Sequence, residues 1–137
     1  MKKTTNPLWG GRFKEKNTEL LSEINNSISF DKELAFQDLL VNKVYSQALN
    51  NAKIISKEEN KKIQNALSQI EADLTKNKIK FKEEYEDIHM NIEMLIKKKI
   101  GSISGKIHTG RSRNDQVVTD FKIWLIEKTN EIIKIIE

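Results

Sequence analysis

A chain of 137 residues, 37% hydrophobic and 32% charged with no cysteine, is neither disordered nor disulfide-stabilised, and it is long enough for one domain with a moderate core. Its net charge of +4 comes from lysines spread along the sequence, which is the pattern of a solvated surface and not of a nucleic-acid stripe. No apolar run approaches the ~20 residues that span a bilayer, and no apolar stretch follows the first lysines to make a secretory signal, so no membrane partner and a cytoplasmic setting are expected.

Residues 1–16 carry no helical period, because Pro7, Gly10 and Gly11 break regular structure. Trp9 and Phe13 are apolar enough to dock LWGGRF as an N-terminal arm. Arg12 in that arm either points toward the site of the later arginines or makes a surface ion pair. Leu20, Leu21 and Ile24 predict a short helix that ends at Asn25, Asn26 and Ser27, whose side chains favour turns. Ser27 therefore sits in an interhelical turn, where it either shapes the turn or contacts a ligand. Asp31 is a good N-cap for the next helix, with Leu34, Val41, Val44, Tyr45, Ala48 and Ala52 on one face.

Ser56 and Glu59 form a capping box, behind which Ile63, Leu67, Ile70 and Leu74 recur at helical spacing until about Asn77. In EEYEDIHMNIEMLIKKKIG, Asp87 caps a helix whose Ile88, Ile92, Leu95 and Ile96 face inward, and Lys97 to Lys99 complement its C-terminal dipole before Gly101. His89 and Glu93 lie at i and i+4 on a different face. No second histidine or cysteine lies nearby, so no metal is expected, and a titratable contact in a cleft is the better reading of His89.

The stretch GKIHTGRSRNDQ, residues 105–116, holds two of the five glycines, one of the two histidines and two of the three arginines. A lysine-rich chain that places arginine only near glycine is using the guanidinium fork for recognition. Ser112 followed by Asp115 reads as a capping-box variant, and Val117, Phe121, Trp124 and Leu125 continue at helical spacing. The segment is either a capped helix start with solvated arginines or an anion site at a helix N-terminus. The helix it opens, roughly 114–137, is apolar almost all round and belongs inside a bundle. It runs to the last residue without a stop signal, as though the chain were cut in mid-helix.

Every element reads as helical, so the class is all-α. Residues 1–104 are expected to form an N-terminal helical domain, and 105–137 a loop leading into the truncated first helix of a central bundle. A helical RNA-binding module would place Lys97–Lys99 and GRSR on phosphates, but no aromatic residue interleaves with those charges and Asp115 interrupts them.

Four blocks, LWGGRF at 8–13, NNSISFD at 25–31, EDIHMNIE at 86–93 and GKIHTGRSRNDQVVTD at 105–120, resemble the N-terminal part of the argininosuccinate lyase family. The wider superfamily includes fumarase, aspartase, adenylosuccinate lyase and delta crystallin. The resemblance implies a cytoplasmic homotetramer of helical subunits that cleaves the small molecule argininosuccinate to arginine and fumarate, in arginine biosynthesis and without any cofactor. Each active site would draw residues from three subunits. It further implies that Ser27 and Asn114 are substrate ligands, that Ser112 and Arg113 help hold the succinyl carboxylates, and that His89 lines the cleft. The family's serine loop and Thr-His segment are absent from these residues, so no catalytic acid or base is expected in this chain and it should be inactive alone. A crystallin-like structural role, or another fumarate-releasing lyase of the superfamily, is the alternative.

Overall fold

The computed structural model describes residues 23–137. The arm around Trp9, Arg12 and Phe13, and most of the first short helix, lie outside the described residues; residues 23–25 are helical and the helix stops before Asn26. A short helix α1 (Ile28–Asp31) passes through a 3₁₀ turn (Lys32–Leu34) into α2 (Ala35–Asn51). Helix α3 (Lys57–Thr75), a 3₁₀ turn (Glu83–Tyr85) and α4 (Ile88–Ile100) follow. A 3₁₀ stretch (Gly101–His108) then leads to the long α5 (Arg113–Ile136). No strand is found among the described residues, so the all-α expectation holds, and no described helix is long and apolar enough to cross a membrane.

The caps set the helix boundaries. Ser56 Oγ accepts the Glu59 N–H at 3.1 Å while the Glu59 carboxylate accepts the Ser56 N–H at 2.9 Å, so two of the four orphan donors of α3 are satisfied reciprocally. Asp87 accepts the Met90 N–H at 2.6 Å and starts α4. That helix ends at Gly101, whose φ of 65° a side chain would resist. Ser112 caps α5 by accepting the Asn114 N–H at 3.2 Å, but Asp115 returns no bond, so the capping-box variant is half formed.

Asp31 does not cap the next helix. The helix has already begun at Ile28, and the Asp31 carboxylate instead accepts the Ser27 hydroxyl at 2.6 Å and the Ile88 N–H at 3.2 Å. Tertiary partners therefore outcompete the local cap. The buried face of α2 also departs from the apolar pattern. Ala35, Asp38, Leu39, Asn42, Ser46 and Leu49 face inward, whereas Val44 is 63% exposed and Ala48 and Ala52 lie outside. Three polar residues share the inward stripe because each finds a partner there, which a reading of apolar residues alone discards.

Leu39 of α2, Ile63, Leu67 and Ile70 of α3, and Ile88, Ile92 and Ile96 of α4 make the centre of the core, with Ile107 closing one end. Each such side chain gains roughly 1.5–3 kcal/mol on leaving water. The first half of α5 packs on α2, but its buried residues are polar, Gln116 and Asp120. Beyond Thr129 every residue of α5 is exposed, including Ile132, Ile133, Ile135 and Ile136. Leu39→Ala is expected to cost ~2–5 kcal/mol in chemical denaturation, as a fully buried leucine does, while Val44→Ala changes stability by less than ~0.5 kcal/mol. Similar losses at both sites would return the apolar face to the core.

Candidate active site

Three ionisable side chains meet in the middle of the molecule with no more than 2% exposure: Asp38 from α2, His89 from α4 and Asp120 from α5. His89 Nδ1 lies 3.1 Å from Asp38 Oδ1 and 3.2 Å from Asp120 Oδ2. Its single Nδ1–H is directed at Asp38, which leaves both Asp120 oxygens without a hydrogen-bond partner among the described residues. Asn42 donates to Asp38 Oδ2 at 3.0 Å, and the Gln116 amide donates to Asp38 Oδ1. Arg111 donates to Asn42 Oδ1 at 2.6 Å and stacks its guanidinium 4.9 Å over the Tyr45 ring, and the Tyr45 hydroxyl donates to the Thr109 carbonyl at 2.8 Å.

Burial alone would pull the His89 pKa down, but the adjoining Asp120 and Asp38 carboxylates, with the charge of Asp87 nearby, push it up to about 9. Burial raises Asp120 to about 6, helped by the neighbouring Asp38 and opposed by His89. The imidazolium thus supplies the positive charge that two buried carboxylates require. The same three ligand-type atoms lie within 4.8 Å of one another, the one such group among the described residues, so a cation could sit there only by competing with the His89 proton.

A cleft of about 450 Å³ opens on one side of this cluster. His89, Ser27, Asp31 and Asp87 line its polar part, and Val117, Phe121 and Trp124 of α5 its apolar wall. Ser27 is held there by its backbone: the Ser27 and Ile28 N–H groups both donate to the Glu86 carbonyl, at 2.9 and 3.0 Å. Glu86 adopts φ 62°, a costly conformation for a residue with a side chain, which the two bonds hold in place. Burial raises the Asp31 pKa, while the Ser27 hydroxyl and the Ile88 N–H oppose the rise. With Glu33 also on the rim, the lining carries more acid than base.

Ser27 and His89, 62 positions apart by their numbers, therefore share one cleft. The structure does not bring Ser112, Arg113 and Asn114 into its lining. Ser112 and Asn114 are exposed at the start of α5, with Asn114 one turn before Val117, which does line the cleft. Arg113 is engaged internally, donating to Glu93 Oε2 at 3.1 Å and Gln116 Oε1 at 3.0 Å. Glu93 also meets His108 Nε2 at 3.0 Å, and His108 followed by Arg113 holds the Glu93 pKa below the usual carboxylate range. His89 and Glu93, at i and i+4 of α4, take separate partners, Asp38 and Asp120 for His89, His108 and Arg113 for Glu93.

Sequence reasoning passed over Asp38, Asn42, Gln116 and Asp120. The available signal was position: Asp38 falls four after Leu34 and three before Val41, and Asp120 three after Val117 and four before Trp124, at helix sites where an apolar residue would ordinarily stand.

The family model of a lyase matches residues 11–137. An argininosuccinate lyase from Sulfurihydrogenibium sp. (strain YO3AOP1) is 47% identical over 130 residues, covering 95% of this chain and 28% of the relative. Proteins of the same name from Ehrlichia ruminantium (strain Welgevonden) and Bacillus mycoides (strain KBAB4) are 48% and 46% identical, over 88% and 93% of the chain. The chain spans 26% and 28% of those two relatives.

The raised His89 pKa makes stability pH-dependent with a definite sign. A group whose proton is held more tightly in the folded state contributes fully below its unfolded value and is lost as pH rises through the folded one. Unfolding free energy should therefore fall between pH 6.5 and pH 9, on the order of a few kcal/mol, with Asp120 adding a loss in the same direction at lower pH. Denaturant titrations across that range check it, and His89→Gln should flatten the slope; an unchanged slope would mean that His89 is neutral in the fold.

Proposed function

This chain belongs to the lyase family, and from that premise we propose that it is the substrate-binding N-terminal part of a longer carbon–nitrogen lyase that cleaves argininosuccinate to arginine and fumarate. The observation that carries the reading is the cleft itself. Ser27 of NNSISFD, His89 of EDIHMNIE and Val117 of GKIHTGRSRNDQVVTD all line it. Blocks distant in sequence converge on one space, as binding residues must.

The electrostatics divide the substrate. Asp31, Glu33 and Asp87 make the cleft a poor host for a dicarboxylate and a good one for the guanidinium or ammonium of the arginine end. The succinyl carboxylates are better served at the exposed start of α5, where Ser112, the Asn114 amide and the positive end of a long helix lie together. Arg113 contributes there through the geometry of the loop, since its guanidinium already holds Glu93 and Gln116. In this reading the loop and helix are fixed before substrate arrives, so their hydrogen bonds are aimed where negative charge develops in β-elimination. No catalytic acid or base is assigned within the chain. Residues 1–104 are read as the N-terminal domain and 105–137 as the signature loop and the start of a bundle helix.

We also infer a homotetramer in the cytoplasm. Phe121, Leu125, Ile126, Ile132 and Ile136 each stay 47–79% exposed, a larger apolar face than a solitary helix normally leaves in water.

The chain alone is expected to release no fumarate. Fused ahead of the remaining residues of the Sulfurihydrogenibium relative, it should restore ultraviolet-detected fumarate release. In that chimaera Asn114→Ala and Arg113→Lys should each lower kcat/KM about ten-fold or more, the loss expected for one bond to a charged group. A folded, tetrameric chimaera without turnover, or wild-type kinetics in both variants, would overturn the reading. Sedimentation of the isolated chain should show concentration-dependent oligomers, and Leu125→Glu should dissolve them; a monomer at high concentration would remove the argument from the exposed face.

A further inference from the structure

A second cavity, of about 600 Å³, lies away from the candidate active site, between the end of α3, the connecting residues 78–85 and the outer face of α4. Its floor is apolar, from Ile70, Ile79, Met94 and Leu95. Its rim carries five lysines, Lys78, Lys80, Lys82, Lys98 and Lys99, against one acid, Asp73. Two of the lysines are occupied: Lys82 by Glu84 at 2.8 Å and Lys99 by Asp73 at 3.6 Å. Lys78, Lys80 and Lys98 have no ion-pair partner among the described residues, although acids are plentiful along the chain.

The local backbone explains the concentration of charge. The chain reverses at Asn77, with φ 52°, and then runs without helix through KIKFK, residues 78–82. Ile79 and Phe81 are packed against the core, while Lys78, Lys80 and Lys82 are exposed. Asn91 ties this segment to α4, accepting the Lys82 N–H at 2.8 Å and donating to the Lys82 carbonyl at 3.1 Å. The facing turn of α4 adds Lys98 and Lys99. The result is a cationic rim of fixed backbone over an apolar floor, in a volume that suits a small ligand.

We propose that this cavity binds a nucleoside polyphosphate, with the base and sugar on Ile70, Ile79 and Leu95 and the phosphates among Lys78, Lys80 and Lys98. Ammonium groups act as point charges that suit the spread charge of a polyphosphate, whereas a planar carboxylate favours the arginine fork that this rim lacks. The three ammonium groups left without an ion-pair partner offer converging positive charge that one multivalent anion can bridge, and the floor adds affinity that a bare inorganic anion cannot use. Because Asn91 stands two residues from His89 on the same helix, an occupied rim would also brace α4 where it supports the active-site cleft.

The test is calorimetric titration of the full chain with ATP and, separately, with inorganic tripolyphosphate. One equivalent of ATP is expected to bind, more tightly than tripolyphosphate, and its affinity should fall steeply with added salt. Lys80→Gln together with Lys98→Gln, both exposed positions that leave the core untouched, should weaken ATP about ten-fold or more while the circular dichroism stays unchanged. Three results would overturn the proposal: no ATP binding, equal affinity for tripolyphosphate and ATP, or ATP affinity unchanged in the double variant. Displacement of ATP by an acidic peptide at lower concentration would also overturn it, by showing that the rim receives a protein segment.

Discussion

The described fold depends on one buried charge arrangement, the His89 imidazolium held between Asp38 and Asp120. Taking three ionisable groups out of water costs several kcal/mol each unless their attraction and hydrogen bonds offset it, so the arrangement adds little net stability compared with an apolar core. Its effect is on specificity. α2, α4 and α5 each contribute one member, and any register that separated them would strand a bare charge in the interior. Asn42, Gln116 and Arg111 extend the constraint outward to the loop that precedes α5. The loop is thereby positioned by the core, although most of its own residues are exposed.

That constraint is also what connects architecture to the site. His89 faces Asp38 and Asp120 with Nδ1 and also lines the cleft that holds Ser27. A buried residue fixed by two carboxylates makes a rigid wall, and binding residues on rigid elements hold their geometry better than residues on loops. Ser27 reaches the same wall by a different device, two N–H bonds to the strained Glu86 carbonyl. Helix α4 consequently serves two surfaces. His89 looks into the cleft, while Met94, Leu95 and Lys98 look into the lysine-rimmed cavity.

Helix α5 shows a division along its length. Its first turns are bound to the charge cluster through Gln116 and Asp120, and its last turns expose Ile132, Ile133, Ile135 and Ile136. The described helices leave these apolar residues uncovered: the start of α2 meets α5 at Glu127, through Gln37, and the isoleucines lie beyond that contact.

Much of this was legible in the amino-acid sequence. Local chemistry alone determined the helical class, the Ser56–Glu59 box, the Asp87 and Ser112 caps and the Gly101 stop, because each depends on residues within one turn of one another. The motif blocks likewise marked Ser27 and His89, which the fold then placed in one cleft. Only the tertiary structure decided which face of α2 is buried, that Asp31 braces Ile88 in place of capping a helix, and that Arg113 pairs with Glu93. Those outcomes rest on partners tens of residues away. The charge of a buried aspartate is tolerable only when a distant histidine arrives to meet it, and hydropathy along one helix carries no record of that meeting.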